Sequence, residues 1–433
     1  MTVAHPDFAA VDYYSAPELI ADPYPYFEYL RSSGSVARLP GRDAVVAVTG
    51  YAEALEVLKD TDNYSSINAV LGPLAAPPFP TEAGDISEQI EAWRQDHPTK
   101  DQIVSFDAPR HGPARALMMR LFTPSRLKAS ADYLGTLSDQ LIDGFHASGR
   151  LEVVRGYGMP FAGMVIADLL GVPEEDRPGF ANRFGVGINL PSVEAGEKRF
   201  EANPMAFLND AFTAYIEERR AAPRQDILTE LATFTLPDGS RPPIHEVVNV
   251  ATFLFVAGQG TTARLLAAAL QIIAQDPALQ SRLRADPSLV DDFIEEVLRL
   301  EGPVKTSHRL VRRRTRLAGV DLPAGTHIAL LNGAINRDPG RFEAPNEFRL
   351  GRSKASEHVA FGRGAHTCPG APLSRTETRI SLQRLLARTE DIRLSAEHHG
   401  PATSRVFKYE PTYVLRGLEE LHIEYGPAAT PGG

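Results

Sequence analysis

The sequence predicts a mainly α-helical protein with a minor β component. Helical patterning dominates from residue 113 into the 260s, where glycines and prolines divide it into segments. The longest helical segment, residues 244–276, is apolar on most sides, as expected of a helix buried in the core. Short β-like runs are confined to the chain after residue 300. Helix therefore sets the architecture, and the β-strands add a small region to it.

Before the central helices, a short helix is predicted at residues 51–58 and a long, partly ordered loop at 65–100. Five prolines and a polar stretch around Trp93 predict that loop, and loops of this length often bind ligands. After them, a helix is expected at 287–300 with Asp286 as its N-cap and Pro287 as its first residue. The β-like runs are 304–311, 319–322, 327–331, 413–415 and 421–425, and a further helix is predicted at 371–388.

Composition excludes several classes of protein. Lys and Arg number 45 against 55 Asp and Glu, and the net charge of -10 argues against nucleic acid as the main partner. No uncharged apolar run reaches the roughly 18 residues that span a bilayer, and the first residues are neither basic nor apolar. We therefore expect a cytoplasmic protein without a membrane partner. Its single cysteine allows no internal disulfide.

That cysteine, Cys368, lies in a loop rich in glycine and proline. Gly364 and Gly370 are expected to let the main chain approach the sulfur and adopt positive φ, with Phe361 and Pro369 at fixed offsets. An inert buried thiol is the common alternative, but burial alone does not require these neighbours. No second cysteine is present to complete a zinc site. A lone thiolate therefore suggests an axial ligand to haem.

A helix upstream carries an acid and a base three residues apart. Glu296 and Arg299 share one face of it, with the acid N-terminal to the base. Such pairs are common on solvated helices and alone indicate a surface position. The order of the residues that follow gives the pair more weight: Arg309, Arg352 and then the cysteine loop.

This ordered set resembles the cytochrome P-450 family, in particular its soluble bacterial members. Phe361, Gly364, Cys368 and Gly370 match the family's loop pattern F-x-x-G-x-x-x-C-x-G in full. The resemblance extends from about residue 24 to residue 425. It implies one P-450 domain over residues 1–433, a triangular helix-rich prism with a small β region and flexible ends at about 1–10 and 427–433.

The family's E-x-x-R motif falls on Glu296 and Arg299, and Arg352 takes the place of its third, buried partner. By resemblance these three form a salt-bridged brace behind the haem. A buried arginine network must be fully satisfied, because removal of one member leaves an unpaired charge.

The resemblance also implies a cofactor, haem b (iron protoporphyrin IX), with Cys368 as its metal ligand. Residues 107–115 look like the family's D-x-P-x-H-x-x-x-R segment, in which His111 and Arg115 present donors to the haem propionates from one helix face. Arg309 and His366 occupy the two other positions that the family uses for this purpose.

Residues 253–262 look like the family's central helix, which carries an A-G-x-(D/E)-T-T motif over the haem. Ala257, Thr261 and Thr262 match, and Thr261 can return its hydroxyl to the Ala257 carbonyl four residues earlier. Gly260 stands where the family has an acid that helps to relay protons. Thr261 with ordered water is the first substitute, and Gln259 has an amide that can orient water.

The pocket implied by the resemblance is formed by residues 71–102, 183–191, 249–257, 304–306 and 413–415. Six members are expected to line it: Val250, Phe253, Leu254, Val304, Thr306 and Val414. Apolar side chains there indicate a hydrophobic substrate, with terpenoids, steroids, fatty acids and aromatic compounds all open. Lys305 is expected to reach solvent or a propionate, or else an acidic group of the substrate.

Three functions follow. The first is a monooxygenase, expected to be a monomer, that takes electrons from NAD(P)H through an external ferredoxin and ferredoxin reductase, since the chain has no flavin or iron-sulfur motif. A basic patch of Arg110, Arg120, Arg363 and Arg375 is predicted to attract the ferredoxin. The second is a peroxygenase or oxidative coupling enzyme, suggested by Gly260. The third is a haem-binding sensor or scavenger, against which the intact Thr261 motif argues.

Overall fold

The fold is described from a computed structural model, for residues 7–81, 84–183, 206–236 and 238–427. Within these ranges the α-helices, numbered α1 to α16 in chain order, are Glu18–Ala21, Tyr24–Ser32, Tyr51–Lys59, Ser87–Arg94, His111–Met119, Pro124–His146, Met159–Leu169, Arg177–Arg183, Ala206–Ala221, Ile227–Ala232, Ile244–Gln275, Pro277–Ala285, Leu289–Glu301, Asn332–Ile335, Ala371–Arg388 and Ala396–His399. The β-strands described, β1 to β10, are Val36–Leu39, Arg42–Val48, Tyr64–Ser65, Arg150–Glu152, Ser307–Val311, Thr315–Leu317, Val320–Leu322, His327–Leu330, Thr389–Leu394 and His422–Pro427.

Helix dominates, as predicted, and the strands form three small sheets. The largest has the order β1-β2-β8-β5-β3, in which only β2 and β8 run parallel. A second sheet has the order β4-β10-β9, and β6 pairs with β7. The buried run Val45 to Val48 of β2, which joins the first two strands to the rest of the sheet, was not predicted.

The central helix α11 holds the core together. Most of its buried apolar side chains belong to the largest apolar cluster, which also includes residues of α7, α9, α13 and α15. By length and composition α11 could cross a membrane, but 56% of its most apolar window is buried inside the protein. Burial on several sides explains why its sequence is apolar nearly all round.

Several predicted elements differ from the structure. The loop at 65–100 contains a helix, α4, which begins after Ile86 and ends at Arg94. Helix α13 begins at Leu289 rather than at Pro287, because Asp286 accepts a hydrogen bond from the Ser288 amide in a turn that precedes the helix. Residues 413–415 make an isolated bridge between Leu415 and Val304 instead of a strand.

Of the ends predicted to be flexible, residues 1–6 and 428–433 lie outside the described residues. Near the first of them, Phe8–Ala10 forms a 3-10 helix whose first turn is capped by Asp7. The predicted pocket segment 183–191 also lies outside the described ranges beyond Arg183.

Candidate functional site

The cysteine loop wraps the main chain around one sulfur atom. The Cys368 amide donates to the Phe361 carbonyl at 2.8 Å, which closes the loop. Burial raises the pKa of the thiol, while the backbone N–H groups of Gly370 and Ala371 and the charge of Arg115 act in the opposite direction. Such donors stabilise a thiolate, but burial outweighs them and the pKa of Cys368 stays above its ordinary value, so the thiolate also needs the positive charge of a bound metal.

The two glycines of the F-x-x-G-x-x-x-C-x-G pattern, Gly364 and Gly370, have different roles. Gly364 has φ +74° and lies against helix α3, where a Cβ would collide with the Leu58 carbonyl oxygen. Gly370 has φ -79°, so the prediction of positive φ there was wrong. A Cβ at Gly370 would lie 3.8 Å from the Cys368 sulfur, an ordinary contact. Only Gly364 is required by backbone conformation and by space together.

Two histidines meet beside the loop. His111 begins α5, His366 belongs to a 3-10 turn at Gly364–His366, and their ring centroids are 4.1 Å apart. Burial is the main cause that lowers the pKa of both rings, that of His366 to about 3. The hydroxyl of Ser66 lies 3.1 Å from His366 Nε2. Both histidines are therefore neutral at pH 7 and can serve as hydrogen-bond donors.

Two arginines complete this group. Arg115 donates from Nη2 to the Thr367 carbonyl at 2.7 Å, and Arg309 donates from Nη1 to the His308 carbonyl at 2.7 Å. Arg309 is 6% exposed, and burial lowers its pKa to about 10. Among the described residues no carboxylate lies within ion-pair distance of either guanidinium. A buried and a half-buried cation without a described ion-pair partner fit the propionates of a haem.

One cavity of about 1320 Å³ joins these groups to helix α11. The predicted site residues that line it are Ala257, Gly260, Thr261, Thr262, His111, Arg115, Arg309, His366, Phe361, Gly370, Cys368, Phe253, Leu254, Val304, Thr306 and Val414. Its size, its apolar walls and the buried donors beside the sulfur together fit a haem with room for a substrate.

Other predicted residues lie elsewhere. Val250 lines a smaller adjoining cavity of about 210 Å³, and Gly364 packs against α3. Lys305 is only 4% exposed and does not line the large cavity, so its predicted contact with solvent was wrong. Burial lowers the pKa of Lys305 to about 7.

Glu296, Arg299 and Arg352 form a buried network outside the cavity. Arg299 donates from Nε and Nη2 to the two carboxylate oxygens of Glu296, each at 2.8 Å, and Arg352 Nε lies 2.9 Å from Glu296 Oε1. The side chains of Glu296 and Arg299 are fully buried. Burial alone would raise the pKa of Glu296, but the hydrogen bonds from both arginines bring it below its ordinary value. The remaining donors of Arg299 reach the Asn336, Pro345 and Glu347 carbonyls.

Helix α11 presents the threonine motif to the cavity. Thr261 donates its hydroxyl to the Ala257 carbonyl at 2.8 Å, as the spacing predicts. Gln259 is 2% exposed and donates its amide to the Met159 and Ala181 carbonyls. Its N–H donors are thus committed to the main chain, so the predicted orientation of water by Gln259 would have to use its amide oxygen.

A buried acid opposite the motif was missed by sequence reasoning. Glu377 on α15 lines the cavity and accepts from the Thr262 hydroxyl at 2.9 Å. Burial raises its pKa to about 7, because the Thr262 hydrogen bond only partly offsets the cost of a buried charge. No spacing in the sequence links Glu377 to α11, so only the fold reveals the contact.

An ion pair between Arg264 and Glu410 was also missed. Arg264 lies four residues after Gly260, so the two share a face of α11, a spacing that could have drawn attention to it. Glu410 lies in an irregular segment without periodic signal. Both side chains line the same cavity.

Comparisons with known proteins agree with this geometry. The family model described as cytochrome P450 matches residues 195–390. A relative from Mycobacterium tuberculosis, cytochrome P450 144, is 34% identical over 94% of this chain and 89% of its own length. Cytochrome P450 monooxygenase PikC from Streptomyces venezuelae is 31% identical over 94% of this chain and 92% of its own.

Solved structures show the same likeness. Substrate-free cytochrome P450 CYP150A6 from Mycobacterium marinum superimposes with a TM-score of 0.91 and 49% identity, and the match covers 98% of this chain and 100% of that one. The cavity therefore lies in a fold that is known from solved cytochrome P450 structures. With its cysteine loop, buried donors and threonine helix in that fold, the chain belongs to the cytochrome P450 family of oxidoreductases, which bind haem b through a cysteine thiolate.

Proposed function

We propose that this protein inserts one oxygen atom of O2 into a hydrophobic small molecule, with electrons from NAD(P)H delivered by an external ferredoxin and its reductase. One observation carries the proposal: the sulfur of Cys368 and the threonine motif of α11 line one large, mostly apolar cavity. A sensor or scavenger of haem has no need of the threonine motif beside a substrate-sized space.

Different residues of the site are proposed to bind the iron and the propionates. Bound haem supplies the iron that binds and reduces dioxygen. Cys368 is proposed to hold that iron, and His111, Arg115, Arg309 and His366 to bind the propionates. These donors fit the role because each is buried or half-buried and directed into the same cavity.

Substrate is proposed to lie against the apolar wall. Phe253 and Leu254 of α11, with Val304 and Val414 from the chain around the isolated bridge, enclose it and exclude water. Such a pocket favours a molecule with a large hydrocarbon surface, because burial of that surface supplies most of its binding free energy.

Proton delivery is proposed to use the threonines and a buried acid. Gly260 has no acid to offer, but the carboxyl of Glu377, with a pKa of about 7, holds a proton in a large share of molecules at neutral pH. Its described side-chain partner is the Thr262 hydroxyl, next in sequence to Thr261. This acid supports oxygen activation in spite of Gly260.

The ferredoxin is proposed to dock at the cysteine side through Arg120 and Arg363. Arg120 is exposed, and among the described residues Arg363 donates one hydrogen bond, to the Ser356 carbonyl. The other two arginines of the predicted patch are partly neutralised. Arg375 pairs with Glu295 at 2.5 Å, and Arg110 lies 3.8 Å from Asp101.

Gly260 favours a second candidate, a peroxygenase or oxidative coupling enzyme. Without an acid at this position of α11, the proton needed for oxygen activation has one fewer donor, and peroxide would bring its own protons. Both candidates require the same haem and thiolate, so they differ in oxidant rather than in site.

We further propose a single-domain, monomeric protein of the cytoplasm. The burial of α11 in the largest apolar cluster favours a core helix over a membrane span. Gel filtration with light scattering checks the mass, and a stable dimer would overturn the monomer.

The decisive experiment combines binding and turnover. Purified haem-loaded protein is titrated with apolar compounds, and loss of the iron-bound water is followed by absorbance. The compounds that bind are then incubated with ferredoxin, reductase and NADPH, or with hydrogen peroxide alone. Oxygenated product with ferredoxin supports the monooxygenase, product only with peroxide supports the second candidate, and no binding by any compound contradicts both.

A further inference from the structure

The Arg264 side chain occupies the space beside two glycines, Gly260 and Gly417. A Cβ at Gly260 would lie 2.6 Å from Arg264 Nη1, and a Cβ at Gly417 would lie 2.5 Å from its Cγ and 2.6 Å from its Cδ. Neither glycine has the positive φ that would require glycine on conformational grounds. At Gly417 the contact is with the stem of the arginine side chain, which leaves little room for a Cβ, whereas at Gly260 it is with the tip of that side chain, which a Cβ would displace.

The ion pair of this arginine leaves part of its guanidinium unused. Arg264 Nε and Nη2 both donate to one oxygen of Glu410, Oε2, at 3.1 Å and 2.5 Å. Within the described chain, Nη1 makes no hydrogen bond and is not among the fully buried polar atoms without a partner. Two N–H donors of Nη1 are therefore accessible in a side chain that is only 16% exposed.

The unused donors belong to the wall of the large cavity. Arg264, Gly260 and Thr261 all line it, and Arg264 is one turn of α11 beyond the threonine motif. Glu410 and Glu419 are the charged residues that line the cavity from the facing C-terminal segment. Because Glu410 neutralises Arg264, the pair presents hydrogen-bond donors with little net charge.

We propose that Arg264 Nη1 recognises an acceptor oxygen, either a carbonyl or a carboxylate, on an otherwise hydrophobic substrate. This inference rests on the proposed function, which it deepens by giving the apolar substrate one polar end. A guanidinium donor in a mostly apolar cavity favours a ligand that supplies an acceptor, since an unfilled donor there must otherwise retain water. Gly260 then has a positive role, which is to leave the approach to Nη1 open.

A purely structural tie between α11 and the C-terminal segment is the competing explanation. The bonds to Glu410 would suffice for that tie, and a larger residue at position 260 would then cost nothing except a displaced Nη1. The two explanations differ in ligand selectivity, which a structural tie does not change.

The test measures dissociation constants by absorbance titration of the haem-loaded protein with matched compounds. The probes are adamantane, 2-adamantanone and adamantane-1-carboxylate, and the series is repeated with dodecane, 2-dodecanone and dodecanoate. In R264Q we expect the affinity for an oxygen-bearing compound to fall roughly tenfold, the value of one charge-assisted hydrogen bond, while the hydrocarbon binds unchanged. The double variant R264Q/E410Q removes both charges and leaves no unpaired carboxylate, and we expect the same selective loss.

Two more variants sharpen the result. G260A keeps every charge but places a Cβ against Nη1, so it should weaken the same compound several-fold. The matched control is G144A, an exposed glycine inside α6 with open space around it, which should alter no binding. In E410Q, tighter binding of the carboxylate than in the unaltered protein identifies a carboxylate ligand, and an unchanged preference for the ketone identifies a carbonyl.

The outcomes separate the inference from the proposed function. If the unaltered protein binds none of the six compounds, the apolar pocket itself is wrong. Binding of the hydrocarbons as tightly as the oxygenated compounds, or an equal loss for all compounds in R264Q/E410Q, overturns the role of Arg264 and leaves the pocket standing.

Discussion

The two walls of the cavity differ in how fully their polar groups are satisfied. Behind the cysteine wall, Glu296 receives bonds from Arg299 and Arg352, and every nitrogen of the Arg299 guanidinium has an acceptor. Around α11, Arg264 keeps Nη1 unused, and Glu377, which faces α11 from α15, has one described hydrogen bond, from the Thr262 hydroxyl. The first arrangement resists change because any loss leaves a buried charge. The second arrangement keeps unused hydrogen-bonding groups, which remain able to bind a ligand in the cavity.

The difference teaches how one fold separates cofactor from substrate. A saturated network fixes its members to each other, so its geometry is independent of what enters the cavity. Donors with spare capacity act on the molecule that arrives. Variation among relatives in such donors can alter the substrate while the cofactor site stays the same.

The largest effect is expected from loss of the Cys368 sulfur, which should abolish both the thiolate spectrum and most of the turnover. In C368S the alcohol does not ionise at neutral pH, so the thiolate-specific band of the reduced carbon monoxide complex should disappear. Turnover should fall by about a thousandfold or more, since the electron donation of the thiolate is lost. The spectrum and the product yield measure this, and a variant that keeps the band would contradict the assignment of Cys368.

Neutralising the brace should cost stability rather than chemistry. E296Q leaves Arg299 and Arg352 without their shared carboxylate, and we expect the free energy of unfolding to fall by about 3–5 kcal/mol. Urea unfolding measures it. The control is E343Q, whose carboxylate is 90% exposed and 3.4 Å from Arg349, with an expected change within about 0.5 kcal/mol. Equal effects of the two variants would show that the buried network contributes no more to stability than an exposed ion pair.

The stability contribution of Glu377, the α15 acid bonded to Thr262 of α11, should depend on pH. Because its folded-state pKa is raised from 4.5 to about 7, the folded protein retains a proton that the unfolded chain releases. Its contribution is complete below about pH 4.5 and is lost as the pH rises to about 7. E377Q does not titrate, so its stability relative to the unaltered protein should increase across this window by up to roughly 3 kcal/mol. A constant difference between pH 4.5 and 8 would refute the raised pKa.

The smallest effect is expected at the outer surface of the cysteine side. Charge reversal in R120E/R363E should raise the ferredoxin concentration for half-maximal rate by about three- to tenfold at low ionic strength, and salt should reduce the difference. The control pair is R38E/R314E, two exposed arginines on β1 and just before β6. Equal shifts for both pairs would mean that overall charge, not the proposed patch, attracts the ferredoxin.

Sequence reasoning was strongest where a motif has a fixed spacing. The cysteine loop and the Glu296–Arg299 pair are local in sequence, so their neighbours in space could be named in advance. Thr261 and Ala257 are likewise one helical turn apart. The contact of Thr262 with Glu377 joins residues 115 positions apart and depends on how α15 packs against α11.

Dependence on tertiary packing also explains the wrong predictions for Lys305 and Asp286. Lys305 is a charged residue in an exposed-looking stretch, yet the chain around residue 414 covers it through bonds from the Lys305 and Thr306 amides to the Val414 carbonyl. Asp286 has the residue type of an N-cap, but its side chain caps a turn that ends before α13. Local preference names the type of interaction, and tertiary packing decides where it occurs.

The two glycines around Arg264 also constrain the order in which this protein can change. While Arg264 is present, the Cβ of an alanine at position 417 would displace the arginine side chain, so that substitution is harmful on its own. Once a shorter residue replaces Arg264, the three atoms nearest to that Cβ are gone and the same alanine should be better tolerated. Positions 264 and 417 are therefore expected to be epistatic, since a shorter residue at 264 makes a later substitution at 417 less costly.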